Sequence, residues 1–201
     1  MHHGYYIPEN RTDHQQAQVD LIDEVLQWAE VGLKPSTLPA RVVDVGCGIG
    51  GSSRHISRKF GSTVKAITLS PYQASRGNEL NAEQGLSKKV NLQVADALEM
   101  PFEDNSFDLA WSLESGEHMP DKEKFVNELF RVVEPGGRII VVTWVHRDLE
   151  EGEESLTRKE KRILSMINRA YYLPPWCSTN DYVKLFEKNG KCKRITLMKV
   201  L

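Results

Sequence analysis

This chain has few cysteines, no long apolar run and no surplus of charge of either sign. Its three cysteines, Cys47, Cys177 and Cys192, form an odd and scattered set. No C-x-x-C pair or Cys/His ligand spacing occurs, so neither a disulfide framework nor a metal site is indicated. A reducing compartment suits that usage. No apolar run approaches a membrane span, so no integral membrane segment is expected. The net charge of −2 makes no electrostatic case for nucleic acid. Internal repeats and low-complexity tracts are lacking too. Residues Met1 to Tyr6 carry neither an apolar signal core nor an Arg/Ser-rich transit segment. A processed precursor looks the same, so the compartment stays open, with plastid and cytoplasm both compatible.

What is present is an ordinary globular composition, 40% hydrophobic and 27% charged over 201 residues. One domain is the natural count, and the chain is long enough to bury a full core. The most informative stretch is Val42-Val43-Asp44-Val45-Gly46-Cys47-Gly48-Ile49-Gly50-Gly51. Its β-branched start reads as a buried strand, and its glycines let the backbone turn tightly and approach a ligand. Ser52 and Ser53 are candidate N-caps for a helix behind the turn. Strand, glycine turn and helix start make a nucleotide-type cofactor site.

Gly46, Gly48 and Gly51 match the dinucleotide pattern G-x-G-x-x-G, which is weak alone. An NAD-binding oxidoreductase needs an acid about 20 residues on, for a ribose hydroxyl. The second strand, Val64–Leu69, ends without one, at Thr68-Leu69-Ser70. Asp44, just before the first glycine, favours instead a cofactor with an amino group and a ribose but no pyrophosphate. S-adenosylmethionine is such a cofactor.

Strands alternate with helices along the chain. Ala17, Leu21, Val25, Trp28 and Ala29 predict a first helix over Asp13–Glu30, capped by Thr12 or Asp13. Strands are expected at Arg41–Val45, Val64–Leu69, Val90–Val94, Phe107–Ser112 and Arg138–Val145. Helices are expected at Pro71–Gln84, Asp121–Val133, Thr157–Ala170 and Ser178–Phe186. Glu134-Pro135-Gly136-Gly137 reads as a turn, Glu150–Lys161 as a solvated charged stretch, and Lys191–Leu201 as one more strand. The class is α/β, Rossmann-like, a mostly parallel sheet with helices on both faces.

In an open parallel sheet, ligands sit at the carboxyl ends of the strands. Asp96, after the third strand, can accept from an adenine amino group or cap a following helix. Leu113 to Pro120 is the densest polar stretch at that rim, and its Glu and His can position a substrate or take a proton. Tyr5 and Tyr6 precede the first helix and can lid a cofactor pocket or pack on the domain.

These stretches resemble class I S-adenosylmethionine-dependent methyltransferases, and more narrowly the γ-tocopherol methyltransferase group with its alkaloid N-methyltransferase relatives. The matching residues are Met1–Tyr6, Val42–Arg54, Ile67–Pro71, Gln93–Leu98, Glu114–Lys122, Pro135–Ile140, Val142–Trp144 and Tyr172–Thr179. The resemblance implies that Asp44, Gly46, Gly48 and Gly50 hold the methionine moiety. Thr68, Leu69, Ser70 and Gln73 would meet the ribose, Asp96 and Ala97 would flank the adenine, and Leu113 would meet the methionine end through its backbone. The expected reaction is methylation of a tocopherol-type ring carbon, or alternatively of an alkaloid or other small amine. The partner is a small apolar phenol or amine. His118 and Glu117 are the candidate bases. One methyltransferase domain over 1–201 is implied: an arm and helix (1–35), a cofactor core (40–145) and a partial acceptor-side segment (146–201). Family members also continue past the position of Leu201, so a non-catalytic, cofactor-binding fragment is a further alternative.

Overall fold

The computed structural model describes residues 3–8, 11–190 and 195–197. Five strands form one parallel sheet: β1 (Arg41–Val45), β2 (Thr63–Thr68), β3 (Val90–Val94), β4 (Phe107–Leu113) and β5 (Val133–Val142). Their spatial order is β3-β2-β1-β4-β5. The order reverses between β1 and β4, so the connections leave the sheet on opposite sides there and open a crevice at the carboxyl edge.

Six α-helices occur among the described residues, the first four packing on the sheet: α1 (His14–Trp28), α2 (Gly51–Phe60), α3 (Pro71–Glu83), α4 (Lys122–Val132), α5 (Arg158–Tyr171) and α6 (Thr179–Lys188). Side chains alternate across each strand, so the core divides in two. Val42, Val64, Ala66, Leu109 and Trp111 pack with Leu21, Ile22, Val25 and Leu26 of α1 and Ile56 of α2. Val43, Val45, Ile67 and Ala110 pack with Phe125, Leu129 and Val132 of α4 on the opposite face. α6 lies outside α4, with Phe186 edge-on to Phe130 at 5.4 Å.

Side-chain caps fix most helix starts. Asp13, Ser70, Asp121, Thr157 and Ser178 each accept from a backbone N–H of their own first turn. α2 differs from expectation. Its N-cap is Gly50, in the left-handed region at φ 78°, and neither Ser52 nor Ser53 caps it. The buried face of α1 is also rotated from the expected one: Ile22 and Leu26 are inside, and Trp28 is 37% exposed.

The expected turn at Glu134–Gly137 and the strand after it run together as β5, which ends at Val142 rather than Val145. The register explains this. Phe107 pairs with Val133 but Leu109 pairs with Arg138, so the segment between bulges out of the ladder, with Gly136 at φ 89°. Of the strand expected over 191–201, residues 195–197 have no regular structure and the others lie outside the described residues. Among the described residues, no helix is long and apolar enough to cross a membrane.

Candidate functional site at the carboxyl edge of the sheet

The carboxyl ends of β1, β2, β3 and β4 carry nearly every residue singled out from the sequence. Asp44 is the penultimate residue of β1 and only 2% exposed. Its carboxylate accepts from Ser53 Oγ at 2.5 Å. Burial without a cation pushes the Asp44 carboxyl up to about 6, and the Ser53 bond offsets this only in part. Ser53 therefore serves as a partner for Asp44 from inside α2.

Above this pair the chain turns sharply. Gly46 and Gly48 are in the left-handed region, at φ 79° and 56°. The N–H groups of Gly46 and Cys47 both donate to Ile67 O at 3.0 Å, which pins the turn to β2. A Cβ on Gly46 would sit 2.3 Å from Ser115 Cβ, whereas one on Gly48 would meet nothing within 4 Å. Gly46 is thus a packing requirement, and Gly48 borders open space where a ligand can approach backbone. Ser115 fastens the same corner from the other side, donating to Val45 O at 2.8 Å. Arg54 donates to Ile49 O at 2.7 Å and Asn81 Oδ1 at 3.2 Å, tying the turn to α3.

After β2, Thr68, Ser70 and Gln73 form a small network. Thr68 Oγ1 donates to Gln73 Oε1 at 2.7 Å and accepts from Ser70 N at 3.2 Å. Leu69, between them, is 73% exposed. After β3, Asp96 is exposed, and no helix follows it. Its Oδ1 accepts from Leu98 N at 2.8 Å, an Asx turn in place of the expected helix cap. Ala97 points into the core between sheet and α4. Leu113 ends β4 and is buried.

The two expected bases part company. Glu117 is 3% exposed and accepts from Thr143 Oγ1 at 2.8 Å. The Tyr182 hydroxyl donates to Gly116 O beside it at 3.3 Å, and burial pushes that phenol well up. Glu117 thus belongs to the joint between the β4 loop and α6. His118 is exposed. The tyrosines lie along α1 and its core. Tyr5 packs against the α1 side of the core, and Tyr6 bonds His14 Nδ1 of α1 at 2.8 Å. His3 arrives at the rim, on Glu114. Among the described residues, no group of three His, Cys, Asp or Glu side chains is placed to hold a metal ion.

Sequence reasoning missed Ser115, Arg54 and the His3–Glu114 contact. Arg54 lay in the helix after the glycine turn, where nothing local marks its reach to Ile49 O and Asn81. Ser115 and Glu114 were part of a polar loop whose internal geometry has no local signal.

A family model described as a methyltransferase domain matches residues 43–141. The chain is 58% identical over 190 residues to a probable chloroplastic tocopherol O-methyltransferase of Oryza sativa subsp. japonica, covering 93% of this chain and 52% of that protein. It is 54% identical to the chloroplastic tocopherol O-methyltransferase of Arabidopsis thaliana, covering 94% and 56%. It is 42% identical to the ajmaline N-methyltransferase of Rauvolfia serpentina, covering 92% and 64%. The chain therefore spans about half the length of the two tocopherol relatives. Among solved structures, a putative sarcosine dimethylglycine methyltransferase from Galdieria sulphuraria superposes with a TM-score of 0.79 at 28% identity, covering 94% of this chain and 68% of that one.

Proposed function

We propose that this chain, which belongs to the class I methyltransferases, binds S-adenosylmethionine at the carboxyl edge of β1 to β4 and directs its methyl group to a tocopherol-type phenol. The observation that carries the reading is the left-handed glycine turn after β1, set at the switch point of the sheet over the buried Asp44–Ser53 pair. The residues fit the cofactor. Gly48 leaves room for close approach to backbone. Asp44 carries a carboxyl that burial disfavours as an anion, which a cationic amino group overhead would relieve. Thr68, Ser70 and Gln73 offer neutral hydroxyl and amide groups to a ribose where a dinucleotide site would offer an acid.

When bound, the cofactor supplies an electrophilic methyl group on a sulfonium. The protein's own part is positioning: the turn fixes the methionine end, the β2 and β3 loops fix the nucleoside, and the end of β4 faces the acceptor. We assign 40–145 to the cofactor and 146–201 to the acceptor side, and the chloroplastic names of the Oryza and Arabidopsis relatives support a plastid location.

The acceptor assignment rests on those two relatives. Their names specify O-methylation, against the ring-carbon transfer expected from sequence, so the proposal is the phenol head group and not a particular atom. Ionising the hydroxyl enriches both the oxygen and the adjacent ring positions, so the same base serves either outcome. A small amine is the second reading, favoured by the similarity to the ajmaline enzyme.

The test has two parts. Calorimetry with S-adenosylhomocysteine and NAD decides the cofactor, and tighter NAD binding overturns the proposal. Methyl-labelled cofactor with a panel of tocopherols and alkaloid amines then reports the acceptor, and product NMR reports the methylated atom. Replacing Asp96 by Ala is expected to weaken cofactor binding by roughly 1.5–3 kcal/mol, the worth of a charged hydrogen bond. Unchanged affinity with a lowered melting temperature would reduce Asp96 to its Asx turn.

A further inference from the structure

The N-terminal arm is held in place by backbone. Tyr5 N donates to Ala17 O at 2.8 Å. A Cβ on Gly4 would lie 2.6 Å from Ala17 Cβ, so only glycine lets the arm run this close to α1. The arm thereby delivers His3 to the end of β4. His3 N donates to Glu114 Oε2 at 2.9 Å, and His3 Nδ1 lies 2.9 Å from Oε2 and 3.1 Å from Oε1.

Glu114 is itself unusual. It is a non-glycine residue at φ 49°, and its N–H donates to Val142 O at 2.7 Å. A left-handed conformation persists in such a residue only where the surroundings over-determine it, and such residues cluster at functional sites. Here the effect is to turn a carboxylate, 12% exposed, towards the arm.

Aromatic rings complete the corner. The Trp144 ring is 5.2 Å from His3, 5.8 Å from Tyr171 and 5.7 Å from Trp176. Trp176 Nε1 is buried with no hydrogen-bond partner among the described residues. A buried N–H left in that state is costly, and a water or a ligand oxygen relieves it. Glu114 directly follows Leu113 at the end of β4, so the cluster borders the place assigned above to the methionine end of the cofactor.

We infer that His3, Glu114, Trp144 and Trp176 form the acceptor subsite, one that takes a flat aromatic ring bearing an ionisable hydroxyl and in which His3 accepts the hydroxyl proton. The inference rests on the methyltransferase reading above and extends it to the acceptor. The indoles supply faces and edges for a ring. Glu114 accepts from Nδ1–H, which fixes the tautomer with its lone pair on Nε2. The acceptor's O–H bond then breaks with its electron pair left on oxygen and its proton on Nε2, and the Glu114 carboxylate balances the imidazolium. The assignment replaces Glu117, whose carboxylate is occupied by Thr143, and His118, which has no carboxylate on its ring among the described contacts as His3 has in Glu114.

The experiment uses the whole chain, a tail-less chromanol with a free hydroxyl, and the methyl ether of that chromanol. Binding is followed by tryptophan fluorescence and calorimetry. The wild type should favour the free phenol by about tenfold or more, as one charge-assisted hydrogen bond predicts. His3→Gln and Glu114→Gln should erase that preference while keeping affinity for the ether. Trp144→Ala should weaken both probes about tenfold or more. Thermal melts check that each variant folds. S-adenosylhomocysteine titrated into the same samples separates the two levels of inference. If the wild type binds it but not the chromanol, or if His3→Gln keeps the phenol preference, the subsite is overturned and the cofactor reading stands. If the wild type binds neither, both fall.

Discussion

The glycine-turn side of the sheet and the segment after β5 are built on opposite terms. At the turn, polar groups are buried and matched: Asp44 with Ser53, Ser112 with Ser115, Thr68 with Gln73. In α5, Ile163, Met166, Ile167 and Ala170 recur at helical spacing, yet α5 has no buried residue at all. Met166 is 64% exposed and the C-cap Tyr172 94%. The start of α5 is tied to the loop before it by charge, with Arg147 paired to Glu153 and Glu160 at 2.6 Å each. Such exposed pairs contribute little to stability. An amphipathic pattern states that a face can be covered; it does not say by what. The turn, by contrast, is fixed by strands on both sides of it.

That contrast can be broken or sharpened by substitution. The largest effect is expected in the core. Phe125, fully buried between α4 and the sheet, should cost about 3–5 kcal/mol on replacement by Ala, read from urea denaturation. A loss below about 1 kcal/mol would mean that the α4 face packs no better than α5.

Asp44→Asn should separate stability from binding. The folded-state value of about 6 lies above the ordinary carboxyl value of 3.8. Asp44 therefore contributes stability while protonated, fully below the lower value, and loses it as pH rises through the higher one. The neutral Asn keeps an acceptor for Ser53, so at pH 8 the variant should be more stable than wild type by about 3 kcal/mol. The gain should vanish near pH 4. Calorimetry on the same variant should show weaker binding of S-adenosylhomocysteine. A stability gain with unchanged affinity would make Asp44 a structural acid only.

Gly46 and Gly48 give a finer test. Alanine at Gly48 pays about 1–2 kcal/mol for the left-handed backbone and projects into open space, so it should reduce cofactor affinity with modest loss of stability. Alanine at Gly46 adds a clash with Ser115 and should destabilise the fold more. Equal melting temperatures for the two would count against the geometry of the turn. The smallest effect is expected in α5, where Met166→Ala should change stability by no more than about 0.5 kcal/mol. A larger loss would reveal a partner for that face.

Much of this was legible before any coordinates. β1 and β3 run over the residues that β-branched content and flanking turns indicate. Asp13, Asp121, Thr157 and Ser178 open their helices because a short acceptor side chain before an apolar periodicity is a local signal. The glycine turn was legible for a similar reason, since a turn after a buried strand is contiguous in sequence. The errors share one cause. Ser53 looked like a cap because its bond to Asp44 is a contact between a helix and a strand. Glu134–Gly137 looked like a plain turn because the bulge depends on the register with β4.

The sequence by itself determined the alternation of strands and helices and the glycine turn, because each is written in neighbouring residues through backbone sterics and hydrophobic period. The tertiary structure alone decided which acid stays buried, which carboxylate faces the arm, and that His3 meets Glu114 across 111 positions of chain. Those outcomes follow from strand register, from the close approach of Gly4 to Ala17 and from burial. All three are properties of packed surfaces, which a linear reading does not contain.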